Sequence, residues 1–239
     1  MDKKISVVIP AYNEEQYIGG ALAALCKQTF SRDMFEIIVV DNASTDHTSD
    51  IARTYGADKI IFEPCKGTNR ARQTGLECSE GEIVAFLDAD CIPPEQWLET
   101  IYKKLHEKKS AYVAIAGAYI FNWNENESTM AIMEKFYQWV VMPTINEVMG
   151  KIFKRGGVII GGNFASFREN FLKMSGFDTS YTFFGDDASI ARRLGELGRI
   201  QFDPRLTVIS STRRFKREGL LRTNIEYAKN YFKVMFSHQ

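Results

Sequence analysis

The sequence predicts an α/β protein with a mostly parallel central sheet covered by helices on both faces. Three observations carry that expectation. Four short runs, Ile5–Ile9, Glu36–Val40, Lys59–Phe62 and Glu82–Leu87, are nearly continuous in apolar and β-branched residues, as strands buried on both faces must be. Helical spacings fill the intervals between them, and strand–helix alternation is the pattern of a parallel sheet. Polar clusters follow the first, second and fourth runs.

The elements follow in order. The first strand stops at Pro10, and Ile18, Leu22 and Leu25 space a helix over 18–27. The second strand ends at Asp41. Ser44 or Thr45 caps a helix running through Ile51 to Tyr55, with Asp46 in its first turn. Lys59–Phe62 precedes a helix over 69–77. The fourth strand ends at Asp88, and Pro93-Pro94 opens a helix with Trp97, Ile101 and Leu105 on its apolar side.

The second half is less regular. Tyr112–Phe121 reads as a strand. Met130–Met149 has helical character and many apolar side chains, among them Ile132, Met133, Phe136, Trp139 and Val140. It is most simply a core helix, with an acceptor or lipid groove as the alternative, and Pro143 should kink or end it. Val158-Ile159-Ile160 runs into Gly161-Gly162-Asn163, a turn or a close backbone approach. Asp186–Leu197 is an amphipathic helix, Val208-Ile209 a short strand, and 220–236 a terminal helix.

Composition narrows the function. The 239 residues suit one domain with a proper core. Thirty basic residues balance thirty acidic ones, so charge predicts no nucleic-acid partner. Four cysteines form no C-x-x-C pair and only three histidines are present, which argues against a zinc site. The cysteine placement favours a reducing compartment. No signal peptide is expected from the opening residues, and no apolar run approaches the ~18 residues of a spanning helix. A cytoplasmic protein is the expectation.

Ligands bind beyond the carboxyl ends of strands in such sheets. Here those ends deliver Pro10–Glu14, Asp41–Asp46 and Asp88–Asp90 to one rim. Asp88-Ala89-Asp90 offers two hard oxygen ligands in a tight loop. Mg²⁺ or Mn²⁺ is typically held by one or two carboxylates plus substrate phosphates. The plainer account, capping of the helix after Pro93, loses weight because two other polar strand ends stand alongside. Asp41 is assigned to a ligand and Asp46 to the following helix start; ordinary turn chemistry explains part of this cluster. Neither a G-x-G-x-x-G nor a Walker A motif occurs, which argues against a dinucleotide site.

Val8-Ile9-Pro10-Ala11-Tyr12-Asn13-Glu14-Glu15, Val39-Val40-Asp41-Asn42-Ala43-Ser44-Thr45-Asp46 and Phe86-Leu87-Asp88-Ala89-Asp90 together resemble glycosyltransferase family 2. The resemblance is strong over 5–105 and weaker to about Ile209. It implies the GT-A fold, whose mostly parallel sheet is Rossmann-like, and transfer with inversion at the sugar. One domain over 1–239 is expected: a nucleotide-sugar half (1–110), an acceptor half (111–212) and a basic helical segment (213–239).

The resemblance also implies roles. The turn at Pro10, Ala11, Tyr12 and Glu14 would line the base, and Asp41 would bind uracil or ribose. Arg72 would sit near the nucleotide or diphosphate. Asp90 would be the main ligand of Mg²⁺ or Mn²⁺, with Asp88 on the ribose or a metal-bound water and Ala89 between them. Phe184-Gly185-Asp186-Asp187 matches the family's Glu-Asp pair, with Asp186 replacing Glu. Asp187 is then the base and Asp186 its orienting partner, although two acids at a helix start also suit its dipole. Asn163 and the preceding glycines would touch the donor sugar, unless they form only a tight turn.

The sequence departs from the family near its end. Where many relatives carry a histidine, it reads Ser210-Ser211-Thr212-Arg213-Arg214-Phe215-Lys216-Arg217. Arg213 or Arg214 is expected to clamp the diphosphate as a fixed cation. From Arg213 onward seven basic residues face two acidic ones, among several aromatics. That composition suggests contact with the inner face of a membrane, against the plainer reading of a solvated helix. The expected partners are a nucleotide-sugar donor, most simply uridine-linked, and a carbohydrate or lipid-linked acceptor. Sugar nucleotidyl transfer and a non-catalytic sugar-nucleotide-binding protein are the competing functions.

Overall fold

The computed structural model describes residues 3–107, 111–121, 132–133, 135–152, 156–181, 185–213, 217 and 219–236. Seven strands form one sheet: β1 (Ile5–Ala11), β2 (Phe35–Asp41), β3 (Lys59–Phe62), β4 (Ile83–Leu87), β5 (Ala114–Phe121), β6 (Asn163–Phe167) and β7 (Ile200–Ser210). Their order is β3-β2-β1-β4-β6-β5-β7. All run parallel except β6, which lies antiparallel between β4 and β5. The order turns back at β1 and β4, the place where sheets of this kind leave room for a ligand at the strand ends.

Both faces of the sheet are covered, which is why its strands read as continuous apolar runs. Ile5, Val7 and Ile9 point to α1 (Ile18–Leu25) and α4 (Trp97–Glu107), packing on Leu22, Leu25, Trp97 and Ile101. Val8, Ile38 and Val40 point the other way, to α3 (Thr68–Glu77). On that same face Phe86 stacks on Phe164 and meets Phe171 and Phe177 edge-on. Four fully buried rings of this kind contribute well over their individual pairings through excluded apolar area.

Several elements differ from the sequence reading. Helix α2 (Thr48–Thr54) starts later than a Ser44 or Thr45 cap implies. Asp41 holds the loop open by accepting the Ser44 N–H at 2.8 Å and the Ser49 hydroxyl. Helix α4 begins at Trp97, because the prolines form a turn in which Pro94 C=O accepts the Trp97 N–H. The strand after Gly162 is β6, whose short Asn-Phe-Ala-Ser-Phe sequence carries no alternation to announce it. It is followed by α6 (Arg168–Lys173). Strand β7 is far longer than Val208-Ile209, since it contains a bulge around Pro204 opposite Gly117/Ala118.

The Met130–Met149 segment meets the core only in its second half, where Met149 is buried and Met142 and Ile145 pack beside it; its first half turns apolar side chains outward. Within its described residues the helical run does not stop at Pro143. A wider five-residue turn at Tyr137–Val141 precedes α5 (Met142–Glu147), so the proline falls in a first turn where its missing N–H costs little. Its polar residues face inward. Asn146 is buried, donating to Ile200 C=O and accepting from Val158 N–H. Phe136 and Trp139 face outward, 61% and 55% exposed.

Helix α7 (Asp186–Leu197) packs Ile190, Ala191 and Leu194 on the sheet, and α8 (Leu220–Phe236) lies against it through Val234 and Met235. One buried side chain ties the layers together. Asn163, fully buried, accepts from Trp97 Nε1 at 2.9 Å and donates to Ala118 C=O and Leu206 C=O. Its carboxamide is thus committed to α4, β5 and the β7 bulge, and the expected contact with a donor sugar is corrected to a structural strut. Asn163→Ala strands these buried partners, so we expect a loss of about 2–4 kcal/mol in denaturant unfolding. A loss below about 0.5 kcal/mol would contradict the strut assignment.

Candidate active site

The site grows from the strand ends. Strand β4 delivers Asp88 and Asp90; β1 delivers the Tyr12-Asn13-Glu14 turn; the Gly185–Asp186 boundary delivers two acids at the start of α7. Gly185 has φ +89°, a conformation glycine adopts without steric cost, and it turns the chain so that Asp186 and Asp187 enter the crevice.

Arg72 is the centre of the cluster. It is 2% exposed, and its guanidinium lies 2.9 Å from Asp186, 3.6 Å from Asp187 and 3.6 Å from Asp88. Arg72, expected near the nucleotide or diphosphate, is buried with its guanidinium among three carboxylates, Asp88 included. Its Nε has no hydrogen-bond partner. Burial opposes its charge, but the three carboxylates outweigh that and raise its affinity for the proton.

Asp88 is further fixed by the Tyr119 hydroxyl, which donates at 2.8 Å. Tyr119 was not among the residues the sequence singled out, because inside β5 it reads only as one position of an apolar strand. The Gly161-Gly162 pair forms the wall between the acids. A Cβ at 161 would fall 2.2 Å from both Arg72 Nη2 and Asp187 Oδ1, and one at 162 would fall 2.2 Å from Asp88 Cγ and the Tyr119 hydroxyl. Only glycine lets this backbone approach so closely, and the Gly161 N–H hydrogen-bonds Asp187.

Asp90 lies deeper than Asp88. Burial pushes its carboxyl up to about 7, with repulsion from Asp88 and Glu14 adding and the Arg213 charge opposing. Arg213 forms a bidentate pair with Glu14, reaches Asp90 at 3.3 Å and stacks over Tyr17 at 4.6 Å. Glu14, expected to line a base, therefore meets the C-terminal arginine. Arg214 and Phe184 lie outside the described residues.

The rest of the rim is built around a hydrogen-bonded loop pair. Asn13, at φ +54°, accepts the Thr45 N–H, and Ser44 Oγ accepts the Asn13 N–H. Pro10 and Ala11 sit in β1 beside Val40 and Asp41. Ala11 and Ala89 are buried, so any contact they offer is through backbone. Tyr12 is exposed, with Lys66 over its ring and bonded to its hydroxyl at 2.7 Å. Asp41 is nearly buried, and its two loop partners leave lone pairs for a further donor. Asp46 accepts the Thr48 N–H at the start of α2, as expected of it.

Burial and the Asp186 charge hold the Asp187 carboxyl above the ordinary carboxylate range, against the pull of Arg72. Burial also raises Asp186. Among the described residues no three His, Cys, Asp or Glu side chains stand ready to enclose a metal. Asp88 and Asp90 nonetheless fit a hard divalent cation that shares its shell with substrate phosphates. They are two oxygen donors two positions apart in one short loop at the end of β4. Replacing Arg72 by Met leaves Asp88, Asp186 and Asp187 without their shared cation. Urea unfolding at neutral pH should show a loss of about 3–5 kcal/mol. The deficit should shrink as pH falls and the carboxyls protonate; an unchanged midpoint would refute the shared-cation account.

The chain is similar to known proteins over most of its length. Residues 6–174 match the family described as glycosyl transferase family 2. The chain is 44% identical over 100 residues to the glycosyltransferase AglE of Haloferax volcanii, covering 40% of this chain and 33% of AglE. It is 28% identical over 217 residues to the probable glycosyltransferase YdaM of Bacillus subtilis, covering 84% of this chain and 49% of YdaM. It thus spans at most about half the length of these curated relatives. Among solved structures, the mannosyltransferase PcManGT of Pyrobaculum calidifontis, in complex with GDP-Man and Mn²⁺, superposes with a TM-score of 0.72 at 23% identity, over 96% of this chain and 64% of that one. Staphylococcus aureus TarS 1–349 with UDP-GlcNAc gives 0.65 at 20% identity, over 97% and 64%. These likenesses establish the GT-A fold, and with the match over 6–174 the chain belongs to glycosyl transferase family 2.

Proposed function

We propose that this chain transfers a sugar, with inversion, from a nucleotide-diphosphate donor to an acceptor hydroxyl. The observation that carries the reading is the single buried Arg72 joining Asp88, on the strand-end side, to Asp186 and Asp187, on the helix side. A leaving group held at Asp88-Ala89-Asp90 and a proton acceptor at Asp187 then face one crevice. The fold's likeness to structures holding GDP-Man and UDP-GlcNAc supports a nucleotide-sugar donor, and the Asp41 loop suits a base or ribose. A uridine-linked donor remains our reading of the base.

Asp88 and Asp90 would hold Mg²⁺ or Mn²⁺, which supplies neutralisation of charge on a departing diphosphate. Arg213 sits at the mouth of the same cluster and is the fixed cation best placed to meet phosphate oxygens, exchanging Glu14 for them. Asp187 accepts the proton of the acceptor hydroxyl. Its raised proton affinity keeps it competent as a base only where the pH exceeds that affinity. Asp186 fixes Arg72, and Arg72 fixes the base. The acceptor is a carbohydrate or a lipid-linked sugar, and the basic segment after Arg213 provides peripheral contact with a membrane.

Asp187→Asn should reduce turnover by at least about 10³-fold while leaving nucleotide binding within about twofold. Near-normal turnover in that variant would refute the base assignment. The wild-type kcat/KM should rise with pH through a limb above the ordinary carboxylate value of ~4, since the deprotonated form is the active one; a limb at or below that value would remove Asp187 from the role. A thermal-shift panel of nucleotides and nucleotide sugars, with and without Mn²⁺, should rank donors. A ligand at ~100 times its Kd adds about 2.7 kcal/mol. Formation of nucleotide sugar from sugar phosphate would instead mark a nucleotidyltransferase.

A further inference from the structure

The segment from Ile132 to Val140 is amphipathic in the inverse sense. Ile132, Met133, Phe136, Tyr137, Trp139 and Val140 are all close to half exposed or more, up to 69% at Ile132. Their spacing puts them on one helical face. The residue turned inward is Gln138, which is 7% exposed. A soluble helix places these types the other way round, and six adjoining apolar side chains exceed the scattered exposure that ordinary surfaces carry.

A second element also turns aromatic side chains outward. On α8, Val234 and Met235 face the protein, while Phe232 and Phe236 stack on the outer side, both exposed. Lys229 and Lys233 fall at the same helical spacing and are also exposed. The two elements come near each other at Tyr137 and Tyr231. Lys135 is exposed on the first element.

We infer that this joint face, with the Ile132–Val140 stripe at its centre, lies in the surface of an anionic lipid bilayer. Charge and side-chain type favour lipid over a second copy of the chain. Tyr and Trp rings settle at the headgroup level, and the flanking lysines reach anionic phosphates while their stems cover apolar surface. A face that met its own copy would bring these lysines together. No described helix is long and apolar enough to cross a membrane, so the contact is one of lying on the surface. The inference extends the membrane contact proposed above from the basic segment to an apolar anchor, and it is independent of the transfer step.

The test is co-sedimentation of the full chain with vesicles of phosphatidylcholine alone and of phosphatidylcholine doped with phosphatidylglycerol. The wild type should sediment with the doped vesicles, and its tryptophan emission should be quenched by brominated lipid. The variant Phe136→Ser/Trp139→Ser/Val140→Ser should lose at least about tenfold in partitioning, about 1.4 kcal/mol, with its thermal melt and donor-induced thermal shift unchanged. Lys135→Glu/Lys233→Glu should lose binding to doped vesicles in proportion to their phosphatidylglycerol content. Unchanged partitioning of the triple variant overturns the inference, even if charge removal at Arg217 and Lys229 weakens binding. A wild-type dimer that the triple variant converts to monomer, without any vesicle binding, overturns it in favour of a self-interface. Failure on any of these counts leaves the donor shift, and with it the transferase reading, where it stands.

Discussion

A single buried guanidinium organises the functional end of this protein. Arg72 lies under the crevice with Asp88, Asp186 and Asp187 around it. Isolated charges in such a place would be costly by several kcal/mol each. Together they constrain one another: the acids need the cation, and the cation needs their oxygens. Because Asp88 ends β4 and the other two begin α7, the ion cluster ties the sheet's parallel half to the helix that packs on its far strands. The same contact thereby fixes Asp187 relative to Asp88.

The surrounding scaffold serves that constraint. Gly161 and Gly162 pass beside Asp187 and Asp88 with backbone where a side chain would collide. Asn163, directly after them, anchors that wall to α4, β5 and the β7 bulge. The Tyr119 hydroxyl closes the remaining oxygen of Asp88. At the mouth, Arg213 is a second cation with a different character. It is 40% exposed and pairs with Glu14 and Asp90. The two arginines thus differ in setting: Arg72 is buried among three carboxylates, and Arg213 is exposed at the mouth beside two.

Much of the site was legible before any coordinates. Asp88, Asp90, Asp186 and Asp187 stand out because each follows or precedes a strongly periodic element, so their convergence is a matter of chain direction. Arg72 falls on a helix the sequence makes plain, yet nothing local says that its side chain is buried among Asp88, Asp186 and Asp187. Asn163 looked like a ligand contact because an amide after two glycines suits either use. Its burial among three partners depends on β6 running antiparallel, which its five residues do not announce. Tyr119 left no local sign at all.

The sequence alone determined the α/β class, the first four strands, the crevice at their carboxyl ends and the acids that line it. Those follow from period, strand ends and loop chemistry, which are local properties. Only the tertiary structure decided which way the 132–152 segment faces, where β6 inserts and which carboxylates share Arg72. Those are settled by long-range packing. An apolar stripe is written identically whether it meets a core or a membrane. A buried charge is tolerable only where the remainder of the fold brings its counter-charges within reach.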